Sequence, residues 1–215
     1  MVCSRSHAAI ALSLLLITFD RAVAQDSDGP ASSTPGPSAG TIASFLGGAA
    51  LGLAIHESGH VCMALIFDAN PHLKGIWFGP IPFFAITHDP VSPAREYAIS
   101  AAGFWMQAAS SEWILTRQPR LRDEKAPMAK GILAFHFLAS TAYAFAAVAG
   151  VGPDERDTLS MARALRWKEG WVGAMVIAPA ALDAWRYRKP EARWAAWASR
   201  AAKAGLVIAI ARAAD

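Results

Sequence analysis

The sequence predicts an all-α membrane protein: a bundle of about four to five transmembrane helices, with a short re-entrant or β-like segment after the first core helix. Three observations carry this. Of 215 residues, 54% are hydrophobic and only 17% are charged, and mean hydropathy is positive, which is too apolar for an ordinary soluble domain. The apolar residues gather into stretches near the ~20 residues that a helix needs to cross the hydrocarbon. One further apolar segment is broken by glycine and proline and cannot continue as a helix.

Taken in chain order, residues 1–24 have the layout of a signal peptide. Arg5 and His7 precede the apolar run Ala8 to Phe19, and the small residues Ala22, Val23 and Ala24 follow. Asp20 and Arg21 leave an uncleaved signal anchor open. Export across a bacterial-type membrane follows, and a multi-pass protein of the inner cell membrane is expected. Residues 25–40 are dominated by Ser, Gly, Pro, Asp and Thr and read as a flexible linker. Four stretches, Thr41 to Phe67, Tyr97 to Thr116, Ala129 to Gly150 and Gly170 to Tyr187, are the expected spans. A weaker fifth, Ala192 to Ala211, carries Arg193, Arg200 and Lys203. It is expected to lie in the interface and to enter the membrane only at Gly205 to Ile210.

The formal charge of +3 is small, and the basic residues sit between apolar runs as membrane flanks, so no nucleic-acid partner is expected; the lipid bilayer is. The loop from Arg117 to Lys130 is basic. The positive-inside rule therefore objects to placing it outside, as an exported linker would require, and the orientation stays open. Cys3 and Cys62 build neither a disulfide framework nor a cysteine metal site, so any metal must use histidine and carboxylate ligands.

The strongest motif is His56-Glu57-Ser58-Gly59-His60. Its two histidines are one helical turn apart and project from one face, a spacing that lets both imidazoles hold a single ion. Glu57 is rotated by about 100° from His56 and stands beside that face, where a general base is needed. Zn2+ suits these ligands and lowers the pKa of a water it binds to about 7. Residues Ile42 to Ile55 before the motif carry no charge, and ionisable groups at that depth are costly unless they serve a function. Gly48 and Gly52 form a G-x-x-x-G pair that would let a second helix approach closely.

These residues resemble the site-2 protease family of intramembrane zinc metalloproteases, over roughly residues 42 to 185. The resemblance implies that residues 41–215 form a multi-pass metalloprotease-like domain. It also implies that the apolar segment Gly75 to Thr87, broken by Gly79, Pro80 and Pro82, is the family's extended segment, along which a substrate pairs as an added strand. A plain interfacial loop is the alternative. Ala101-Ala102-Gly103-Phe104-Trp105-Met106-Gln107 is similar to the family's A-G-P-x-x-N, with Phe104 for proline and Gln107 for asparagine. Gln107 is thereby a candidate substrate-binding carboxamide, or else a helix-packing glutamine.

The third zinc ligand is an acid in the family. The usual Leu-Asp-Gly is absent here, and Asp157 is the choice because it lies in the expected order after a Gly-Pro break; it could equally cap a helix. Asp183 and Asp154 compete for the role, and Asp183 has Arg186 one turn on as an alternative partner. His136 is a further candidate ligand or relay, or a histidine bonded within the bundle. The implied activity is a zinc metalloendopeptidase that hydrolyses peptide bonds in or near transmembrane segments of other proteins. A non-catalytic membrane metal-binding or scaffold protein remains the alternative, and a zinc transporter is the least supported reading.

Overall fold

The computed structural model describes residues 36–78 and 80–214. The expected signal segment lies outside the described residues. The chain forms α1 (Ala39–Ile66), the strands β1 (His72–Phe78) and β2 (Ile81–Thr87), α2 (Pro93–Arg117), a 3-10 turn (Leu121–Asp123), α3 (Pro127–Ala149), α4 (Asp157–Leu165), α5 (Glu169–Arg188) and α6 (Arg193–Ala214). Five of these helices coincide with the five apolar stretches; α4 is short and amphipathic.

Local chemistry sets their ends. The Ser38 hydroxyl accepts from the Thr41 amide and caps α1, whose first residues fall inside the stretch of linker composition. Proline opens both α2 and α3, where its missing N–H is not needed. Gly150 ends α3 in the left-handed conformation, φ 64°. The extended segment is a hairpin of two antiparallel strands, with Gly75 opposite Phe84 and Trp77 opposite Pro82. It starts at His72, ahead of the glycine that marks it in the sequence.

The five long helices pack as a ring in the order α1, α3, α5, α6, α2 and back to α1, with α4 packed mainly on α2 and α5 and more lightly on α3 and α6. Small residues make the closest crossings. A methyl group at Gly48 would run into the Met128 carbonyl, and one at Gly131 into the Phe45 carbonyl, so α1 and α3 touch backbone to backbone. Tyr97, Phe104, Met161, Leu165, Val172, Val176 and Leu206 form the largest apolar core.

Large apolar side chains lie on the outside of the bundle as well as inside it. Helix α1 buries Gly48, Gly52, His56, Gly59, His60 and Ala64, yet exposes Ile42, Phe45, Leu46, Leu51, Leu65 and Ile66. A soluble helix does the opposite. Two helices, α1 and α3, are long and apolar enough to cross a membrane, and only 17% and 28% of their apolar windows are buried. The other three long helices carry charge along their length, including Glu112 in α2, Asp183 and Arg186 in α5, and Arg200 and Lys203 in α6.

Candidate metal centre

The centre is built on the α1–α2 crossing. Gly59 lets α2 come so close that a Cβ there would stand 2.5 Å from the Ala102 carbonyl oxygen. That approach buries His56 and His60, at 2% and 4% exposure, against α2. Their Nε2 atoms lie 3.1 Å apart. The Nδ1–H of His60 donates to the Ile99 carbonyl at 2.8 Å. In the neutral ring this leaves the Nε2 lone pair aimed at His56, the usual arrangement of a metal-ligating histidine. Gly103 forms the floor: a Cβ on it would come within 2.5 Å of both His60 Nε2 and His56 Cε1.

Asp157 completes the cluster from a distant part of the chain. After α3, Gly150 and Gly152 take positive φ and turn the strap 150–156 back across the bundle. Asp157 then opens α4 with its Oδ2 3.2 Å from His56 Nε2 and 3.5 Å from His60 Nε2. Burial pushes its carboxyl up, but the charge and N–H donation of the facing imidazoles, when a proton and not a cation occupies the cluster, more than reverse this and hold it below the ordinary range. His56, His60 and Asp157 together could hold a metal ion. Two imidazole lone pairs and a carboxylate oxygen converging at such distances repel one another unless a proton or a cation lies among them.

Glu57 is half-buried next to this group, and among the described residues no hydrogen bond or ion pair engages its carboxylate. Two aromatic rings wall the His56 side. Phe104 meets the imidazole edge-on at 5.3 Å and Tyr143 stacks on it at 6.0 Å, with the two rings edge to face at 5.1 Å. Tyr143, the Ile99 carbonyl and the role of Gly103 as a floor escape a reading of the sequence alone. Gly103 has a visible signal in Ala-Ala-Gly, whereas nothing local marks a backbone carbonyl, or a tyrosine that folding brings to the motif.

The other acids fall elsewhere. Asp154 is exposed and outside the cluster. Asp183, the competing ligand, is buried in a separate network, where it accepts from Ser111 Oγ at 2.7 Å and Ser199 Oγ at 2.6 Å and pairs with Arg186 and Lys203. Its pairing with Arg186 is thus the reading that holds. Gln107 is buried on the α2 face that carries Gly103, one turn further on, and its Nε2 has no partner among the described residues. His136 is buried in α3 with its Nε2 3.5 Å from Ser110 Oγ, and is not one of the three clustered ligands. No family model matches the chain, and no curated protein or solved structure matches it either.

Proposed function

We propose that this protein is a zinc-dependent membrane peptidase that cuts other proteins in or near their transmembrane segments. The observation that carries the reading is the convergence of His56 Nε2, His60 Nε2 and Asp157 Oδ2, at separations of 3.1, 3.2 and 3.5 Å, beside the unengaged carboxylate of Glu57. Tetrahedral zinc with donors at about 2.0–2.1 Å would have donor–donor edges of about 3.3–3.4 Å, close to these values. Two nitrogens and one oxygen leave a fourth position open, as catalytic zinc sites do. The apolar exterior of α1 and α3 supports placement in a bilayer, with the other three long helices crossing or lying beside them.

Bound zinc would supply Lewis acidity and an acidified water. The chain's own groups account for the rest of the chemistry. Glu57 takes the proton from the attacking water and delivers it to the leaving amine, while the Ile99 carbonyl keeps the His60 imidazole oriented and the Phe104 and Tyr143 rings hold that of His56. The hairpin β1–β2 has no third strand among the described residues, so an unwound substrate segment has a strand edge to pair with. Gln107 is suited to hold a substrate carbonyl through its carboxamide.

The test is zinc content and cleavage of a model transmembrane substrate by detergent-purified protein, wild type against Glu57→Gln. The reading expects stoichiometric zinc in both and cleavage only by the wild type, with a loss of about 100-fold or more in the variant. Well-folded wild type without zinc would overturn it. Stoichiometric zinc with no cleavage of a panel of transmembrane substrates would favour the non-catalytic metal-binding alternative.

A further inference from the structure

Asp157 must be held against two imidazoles from a strap that contains two glycines and a proline, a composition with little stiffness of its own. The residues on either side of it show how. Arg156 Nε and Nη2 donate to the two oxygens of Glu169, each at 2.7 Å, as a bidentate fork. On the other side, the Thr158 hydroxyl donates to Glu169 Oε1 at 2.7 Å, and Thr158 is fully buried. Arg156 also donates to the Pro153 carbonyl at 2.9 Å, which closes the strap on itself.

One carboxylate, at the first residue of α5, therefore grips both neighbours of Asp157. The Arg156 and Glu169 side chains are only 10% and 11% exposed, so the pair is weakly screened and its geometry is defined. Burial raises the Glu169 carboxyl, but the Arg156 fork and the Thr158 hydroxyl outweigh this and keep it below the ordinary range, in the charged form that the fork requires. The contrast is Glu155 with Lys74, which also ties the strap to a neighbour, but through a lysine 55% exposed, a pair of small energetic weight.

We propose that Glu169 is a positioning residue for the metal centre: through Arg156 and Thr158 it sets the backbone of residues 156–158 so that the Asp157 carboxylate meets His56 and His60. This rests on the reading of those three residues as metal ligands. Glu169 touches no ligand itself, so its effect should pass entirely through Asp157.

The experiment is Zn2+ affinity, measured by chelator competition on the full-length protein, for wild type, Glu169→Ala, Asp157→Asn and the double variant, with thermal melting to establish folding. The expected result is a loss of about 10- to 100-fold for Glu169→Ala and no further loss when it is added to Asp157→Asn. Glu169→Gln, which keeps the size and one acceptor, should lose less. Should Glu169→Ala fail to fold, Glu169→Gln and Thr158→Val carry the same cycle. Wild-type affinity in the folded Glu169 variants, or an equal loss with and without Asp157, would overturn the positioning role while leaving the metal centre standing. A folded wild type that binds no Zn2+ would instead remove the metal reading on which it rests.

Discussion

His60 and Ile99 are joined by a 2.8 Å hydrogen bond from imidazole Nδ1–H to backbone carbonyl, across the tightest helix crossing at the site. The bond makes α2 part of the candidate metal centre without giving it a ligand. It fixes which nitrogen of His60 faces Asp157, and it forms because Gly59 lets the two backbones close and Gly103 leaves room for the imidazoles.

Gly103→Ala should therefore weaken the centre although alanine favours a helix. Its Cβ would meet both imidazoles at 2.5 Å, a distance that forces the rings or the helix to move. Zinc affinity measured by chelator competition should fall at least about tenfold. Gly47→Ala is the control, because nothing lies within 4 Å of a Cβ there; an equal loss in both variants would show that the effect is not local.

Asp183→Ala should separate the roles of Asp157 and Asp183. It removes the partner of Arg186 and Lys203 and strands Ser111 and Ser199, so a destabilisation of about 3–5 kcal/mol is expected, reduced to the extent that Glu112 keeps both cations. Zinc content per folded molecule should be unchanged. Zinc lost in proportion to Asp183 would make it a ligand after all.

Much of this is legible in the sequence, for a physical reason. The helix positions follow from apolar runs, and the two histidines and Glu57 follow from helical spacing, because both are local properties of the chain. Asp157 is reachable through its order and the Gly-Pro break. What stays hidden depends on contacts between distant residues: the Asp183–Arg186 pair is visible from its spacing, but Glu112 looks like an isolated charge in an apolar stretch until Arg186, Arg200 and Lys203 are seen against it. The strands likewise begin at His72, before the Gly75 that marks the break, because pairing with Thr87 is invisible locally.

Metal removal should loosen the fold by mass action. A ligand that binds only the native state stabilises it by about 2.7 kcal/mol at one hundred times its Kd. Chelation should thus lower Tm in wild type, and re-addition of Zn2+ should restore it. Asp157→Asn should show a smaller shift at the same free Zn2+. Identical melting with and without chelator would argue against metal bound at this centre.

Glu169 gives a pH dependence with a definite sign. Its folded-state pKa is depressed, since the Arg156 fork and Thr158 overcome the upward push of burial. The unfolded chain then binds the proton more readily, and the stability this carboxylate contributes is present above its unfolded pKa of about 4.3 and is lost as pH falls through the folded value. Melting temperature should accordingly drop more steeply below about pH 4.3 in wild type than in Glu169→Gln, which has no proton to gain. The comparison is best made in chelator, so that protonation of the metal ligands does not contribute through zinc release. Parallel curves for the two proteins would mean that the Arg156–Glu169 fork does not survive in solution, and the support for the position of Asp157 would have to be sought in the packing of α4 alone.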